Sequence, residues 1–273
     1  MVLWPLDVAR DWTQRFVAIQ GIDRGMALGA QAYTALIPLL IVYVSVLPRG
    51  DNEDFADVMI KEFELRGSTA ASFKRAFAPA GEVESSVTAL GVLLLIVSAL
   101  SFTRGMQRLY EGVFDLTKLG IRNTPRAILW LLVVTVAVAV RPLVLDLIGG
   151  WLHAAATLTL STILWLITPY LLLGRRVSWQ RLLPGALLTA IGMAGVGVWA
   201  VIWMPHTLAT SARQFGVIGI GFAMLTYLVA VGVVVVVATT GGALIADRIS
   251  AFRGKRADDV PLAVEVDGDD VRH

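Results

Sequence analysis

The chain contains no cysteine, only four lysines and three histidines, and charged residues make up just 16% of its 273 positions. Each scarcity excludes something. Without cysteine there is no disulfide frame, no thiolate metal site and no cysteine nucleophile. His153, His206 and His273 are scattered, with none of the short spacings that let two imidazoles share a metal. No Gly-rich loop leads into a Lys-Ser/Thr pair, so the chain does not hydrolyse ATP by itself, and no nucleophile elbow is present. The GVIGIG run at 216–221 resembles a dinucleotide fingerprint only superficially, because no strand precedes it. The sequence therefore offers no catalytic residues, no cofactor and no metal site, and it does not read as an enzyme.

What fills the space is apolar. Hydrophobic residues account for 56% of the chain, far from the composition of a soluble domain. Crossing a hydrocarbon layer of about 30 Å takes roughly 20 mostly apolar residues. Six stretches offer this: 26–47, one beginning at 87, 127–148, 154–173, 182–204 and 217–245. A soluble helical protein keeps a polar face on most of its helices, and 221–238 has none. The expected fold is an all-α integral membrane protein with six transmembrane helices.

The flanking segments complete the organisation. Residues 1–25 lack the apolar core of a cleaved signal, so the first span itself is expected to direct insertion. Trp4, Val8, Trp12, Phe16 and Ile19 share one helical stripe, which predicts an amphipathic helix in the membrane interface. The membrane domain is expected over 26–248, with a long outer loop at 48–86 carrying two short amphipathic helices at 51–65 and 68–78. Residues 249–273 read as a disordered tail. Of the 23 lysines and arginines, 16 fall in segments that share a side with the amino terminus and 7 on the other. The positive-inside bias thus predicts both termini in the cytoplasm of a bacterial cell, with the chain in its inner membrane.

Candidate functional residues are the polar groups that accompany the spans. SALSFTRGMQRLYEGVFD, residues 98–115, continues the second span without proline or turn pair. The helix is expected to run on past the headgroups to about residue 116, with Arg104 and Arg108 on one face. Two readings stand side by side. Either Arg104 snorkels to lipid phosphates as an anchor, or it points between helices and holds an anionic headgroup or a gating carboxylate. Glu111, three residues from Arg108, is placed to neutralise the cluster. Gln31 and Tyr33 sit early in the first span, and Arg141 and Asp146 in the outer part of the third, where an unpaired charge is costly. Pro38 marks a kink or hinge. Gly192, Gly195 and Gly219 are expected at close helix contacts or hinges.

Four segments taken in order, ALGAQAYTALIPLLIV (27–42), SALSFTRGMQRLYEGVFD (98–115), GRRVSWQRLLPGALLTA (174–190) and QFGVIGIGFAMLTYL (214–228), resemble the YihY/BrkB family of bacterial inner-membrane proteins. Phe215 departs from the pattern, standing where a tyrosine is expected. The resemblance implies a six-helix inner-membrane fold, with roles in envelope integrity and in lipid export, and it implies that an older ribonuclease label is a misassignment. The preferred functional expectation is a transporter or flippase-like protein for an anionic lipid or amphiphile. Arg104 and Arg108 would gather the headgroup, and Gln31, Tyr33, Arg141 and Asp146 would serve as polar stations. The alternative is a non-transporting scaffold that binds an envelope partner. The expected partners are membrane lipids, with a second copy or an envelope protein also compatible, and no nucleic acid.

Overall fold

The structure, a computed structural model, describes residues 4–46, 85–146 and 151–258 and isolated positions between 57 and 74. Among the described residues every regular element is helical: α1 (Trp4–Ala18), α2 (Gly21–Val46), α3 (Ser85–Val113), a 3₁₀ turn (Gly120–Asn123), α4 (Thr124–Asp146) and α5 (Trp151–Leu172). These are followed by α6 (Trp179–Gly216) and by α7, which starts at Ile218. Gly216 separates the last two, its φ of 60° and ψ of −137° breaking an otherwise continuous rod. A residue with a Cβ resists that conformation.

Among the described residues four helices are long and apolar enough to cross a membrane: Ala89–Val113, Leu152–Leu172, Trp179–Gly216 and Ile218–Phe252. The apolar part of α4 is the shorter Thr124–Val138. In α2, side chains from 37 onward, that of Pro38 included, lie outside the described residues, as does the side chain of Asp146. The helix itself runs through position 38 to Val46. The surface is apolar in broad stripes. On α3, Leu90, Leu93, Leu94 and Val97 face outward, and on α6 Ile191, Val198 and Ile202, the last 74% exposed. Exposure on this scale suits hydrocarbon and would be an aggregation liability in water.

Helices α2 through α7 run alternately up and down. Asn123 meets Leu172 across α4 and α5, and Gly185 of α6 lies against Gly242 of α7. The tightest crossing joins α2 to α7. A Cβ on Gly25 would come within 2.8 Å of the Val233 backbone, and one on Gly29 would collide with the backbone at Val229. Gly232 answers from the other side, against the Gly25 carbonyl. Small residues at such crossings let backbones approach where lipid supplies no hydrophobic drive. We call the end that carries α1, the α3–α4 junction and the α5–α6 junction the basal end, and the opposite one distal.

Several expectations change. Helix α3 ends at Val113, with Asp115 at φ 49° in the turn that follows, so it stops a little short of 116. The segment 205–216, expected between spans, is helical throughout and makes α6 38 residues long, about 57 Å at 1.5 Å per residue. Pro205 sits inside it without ending it. Likewise the last helix continues to Asp258, into the segment expected as tail; residues 259–273 lie outside the described residues. Helix α1, expected as an interfacial amphipathic helix, also contacts the bundle. Phe16 and Ile19 pack against the basal core, Arg15 and Arg181 each bond one oxygen of Asp247 at 2.7 and 2.6 Å, and Arg248 bonds Asp11 at 2.6 Å. Most of the two short helices expected at 51–65 and 68–78 lies outside the described residues. Within that loop Lys74 pairs with Asp57 at 2.8 Å, and Ile60 and Ala70 pack on the distal core around Met204 and Leu208.

Candidate functional site

The basal end holds two polar constructions side by side. The first is a sealed network at the α3–α4 and α5–α6 junctions. Glu111, only 3% exposed, accepts hydrogen bonds on Oε1 from Gln107 Nε2 at 2.8 Å and from the Leu119 main-chain N–H at 2.9 Å. Arg176 stands 3.5 Å away as its counter-charge. The same guanidinium donates to the carbonyls of Leu173 and Thr117. Buried Asn123 donates to the Leu172 carbonyl at 2.7 Å, capping the end of α5. The end of α5 leaves carbonyls without a helical partner, and Asn123 and Arg176 satisfy those of Leu172 and Leu173.

Arg104 belongs to this first construction. Its Nη2 donates to Thr124 Oγ1 at 2.6 Å and its Nη1 to the Gly120 carbonyl, fastening the loop after α3. Glu111 also departs from the expected pairing with Arg108: it turns inward to Arg176. One helical turn of basic and acidic residues is thus split between two destinations, because successive positions point in different directions around α3.

The second construction is a cleft of about 310 Å³ between the basal halves of α2 and α3. Two matched contacts build its floor. Gln31 lies against Gly105, and Arg24 lies over Gly112, whose Cβ would stand 2.7 Å from Arg24 Nη1. Both pairs are seven residues apart, in opposite directions, as antiparallel neighbours require. Arg24 Nη1 donates to the Arg108 main-chain carbonyl at 2.6 Å. Partial burial, and then the like charge of Arg108, lower the pKa of Arg24. The Arg108 and Lys118 side chains are exposed on the same cleft, which two carboxylates also line, exposed Asp115 and buried Glu111, the latter facing Arg176. Such a place favours an anion, which relieves the repulsion between two guanidiniums and matches their planar forks.

Of the six candidate polar residues, the structure brings Gln31 and Arg108 together in this cleft. Tyr33 points elsewhere, its hydroxyl 2.8 Å from where a Cβ on Gly221 would be, beside the distal core. Arg141 is exposed on α4. Among the glycines, a Cβ on Gly192 would meet Val234 at 2.7 Å, one on Gly219 would strike the Ser211 carbonyl, and one on Gly195 would meet nothing within 4 Å. Sequence reasoning counted Arg24 only as a flanking charge. The signal that could have found it is the shared seven-residue spacing of Arg24–Gln31 and Gly105–Gly112, legible once α2 and α3 are known to be neighbours. Asn123 carries no local motif, and nothing local in the sequence pairs Glu111 with Arg176.

Among the described residues, an all-helical body with long apolar helices and lipid-suited surfaces defines an integral membrane protein. The chain belongs to the BrkB family: the family model described as Virulence factor BrkB matches residues 13–262. Comparison with curated proteins and with solved structures gave no match.

Proposed function

We propose that this BrkB-family protein is a six-span protein of the bacterial inner membrane, both ends cytoplasmic, that moves or presents an anionic lipid or amphiphile. It is not an enzyme in this reading, and it works on membrane lipids without a nucleic acid partner. The observation that carries the proposal is the basal cleft, where Arg24 and Arg108 share one concavity and Lys118 adds a third cation. The surplus of lysine and arginine on the terminal side supports placing that cleft at the cytoplasmic headgroups. Exposed apolar side chains on the same turns of α2, Ile22 and Met26, support access from the bilayer. With no ATPase motif in the chain, movement is downhill, ion-coupled or driven by a partner.

The test is reconstitution in liposomes with a fluorescent anionic phospholipid and a membrane-impermeant quencher. Wild-type protein is expected to equilibrate the probe between leaflets, and the Arg24→Ala/Arg108→Ala protein to do so at least ten times more slowly. Equal rates, with both proteins folded, would remove the cleft from the mechanism. If neither moves lipid but the double variant still loses binding of anionic vesicles, the scaffold alternative takes over.

A further inference from the structure

Charge in the basal cleft is unequally matched. Arg24 on α2, Arg108 on α3 and Lys118 in the loop after α3 line it, and so do Glu111 and Asp115. Glu111 is already paired: its Oε1 accepts from Gln107 and the Leu119 N–H, and Arg176 faces it from the α5–α6 junction as counter-charge. Asp115 is the carboxylate that remains, exposed in the turn where α3 ends. Among the described residues no ion pair or hydrogen bond reaches the side chain of Arg108, Lys118 or Asp115. Three cations therefore share the cleft with one free carboxylate, which leaves a surplus of two positive charges.

Two kinds of phosphate answer that surplus differently. A phosphate esterified twice, as beneath a further headgroup, has a single negative charge and two free oxygens. A phosphate monoester ends in three free oxygens and carries about −1.5 to −2 at pH 7, its second proton leaving near pH 6. The cleft supplies cations from three separate positions along the chain, so each terminal oxygen has a donor of its own. Arg24 and Arg108 offer planar forks and Lys118 a compact point charge. Gly112 gives the Arg24 fork its place, because a Cβ there would stand 2.7 Å from Nη1. A second ester removes both the extra charge and the third free oxygen.

We infer that the cleft selects amphiphiles whose phosphate is a terminal monoester, held as the dianion, over those whose phosphate is esterified twice, and that Lys118 adds this preference to the anion site of Arg24 and Arg108. The inference rests on the proposed function above and names the chemical class of its ligand. A volume of about 310 Å³ suits a phosphate with its adjoining glycerol, the acyl chain remaining in the bilayer. Among the described residues no histidine lines the cleft, and its charged groups are Arg24, Arg108, Lys118, Asp115 and Glu111, with Arg176 behind the last. Between pH 5 and 8 the group that changes charge is then the ligand itself. Cations favour its dianion, so affinity for the monoester rises with pH through this window. The doubly esterified phosphate keeps one charge, and its affinity registers whatever Asp115 and Glu111 contribute.

The decisive experiment measures binding of a monoacyl glycerol 3-phosphate and of its phosphate methyl ester to the full-length protein in phosphatidylcholine nanodiscs, at constant ionic strength. At pH 7.5 wild type is expected to hold the monoester about ten-fold more tightly, the order of one added charge-assisted hydrogen bond. At pH 5, where most of the monoester has taken up its second proton, the ratio is expected to fall to about two-fold. Lys118→Gln, at an exposed loop position, is expected to bring the pH 7.5 ratio below three-fold while both probes still bind. Equal wild-type affinities, or a ratio that ignores either pH or Lys118, would overturn the monoester inference; weaker binding of both probes by the Arg24→Ala/Arg108→Ala protein would still leave the anionic-lipid reading standing. Binding indifferent to that double change, or absent from wild type, would sink both. Inorganic phosphate competing as well as the acylated monoester would assign the site to free phosphate and remove the amphiphile.

Discussion

Arg24 reaches from the start of α2 across to α3 and donates a 2.6 Å hydrogen bond to the main-chain oxygen of Arg108, so that two guanidinium-bearing residues border one cleft. Among the described residues neither has a carboxylate partner as close as the one Glu111 gives Arg176. The charge is left facing the cleft, and the helices are tied through the backbone rather than through an ion pair.

That arrangement separates two arginines one turn apart. Arg104→Ala is expected to lower the thermal midpoint in detergent, because Thr124 and the Gly120 carbonyl lose their donor; a loss of about 1–3 kcal/mol fits a charged, partly buried hydrogen bond. Its affinity for anionic vesicles should stay within two-fold of wild type. Arg108→Ala should show the reverse pattern, with an ordinary midpoint and weakened binding. Parallel thermal scans and vesicle flotation distinguish the two.

Charge removal in the sealed network acts on folding alone. Glu111→Ala strips the partner from Arg176 and unpairs the Leu119 N–H, which should cost about 2–4 kcal/mol. Glu111→Gln keeps an acceptor and should cost less. Equal thermal midpoints for wild type and Glu111→Ala would show that the network adds nothing to stability.

Two glycines on the spans should respond oppositely. Gly29→Ala drives a methyl into the Val229 backbone, and overpacking of about 1–3 kcal/mol or an unassembled bundle is the expected result. Gly195→Ala meets open space within a helix and should be neutral or stabilising by about 0.5–1 kcal/mol. Midpoints measured in one detergent give the comparison.

The α1 clasp is electrostatic. Asp247→Asn removes the charge that holds both Arg15 and Arg181, and trypsin should then cut at Arg10 and Arg15 faster than in wild type. The pairs are partly exposed, so raising the salt should reproduce part of the effect. Unchanged cleavage rates would mean that packing of Phe16 and Ile19 alone holds the helix.

The membrane character was legible in the residues because hydropathy adds along the chain: 221–238 has no polar face in any folded arrangement, and its solvent follows from composition. Pairings were not legible in the same way. SFTRGMQRLYEG reads as one basic cluster, yet Arg104 went to the loop, Glu111 to Arg176 some 65 positions later, and Arg108 to the cleft. Gly195 and Gly29 look equally small, and only the position of α7 makes one of them indispensable.

The amino-acid sequence by itself settled which stretches suit hydrocarbon and which family they belong to, since both depend on local order and transfer free energy. The tertiary structure alone decided that Arg24, Arg108 and Gln31 share a cleft while Arg104 does not. Which direction a side chain points, and what backbone meets it there, depends on neighbours far away along the chain.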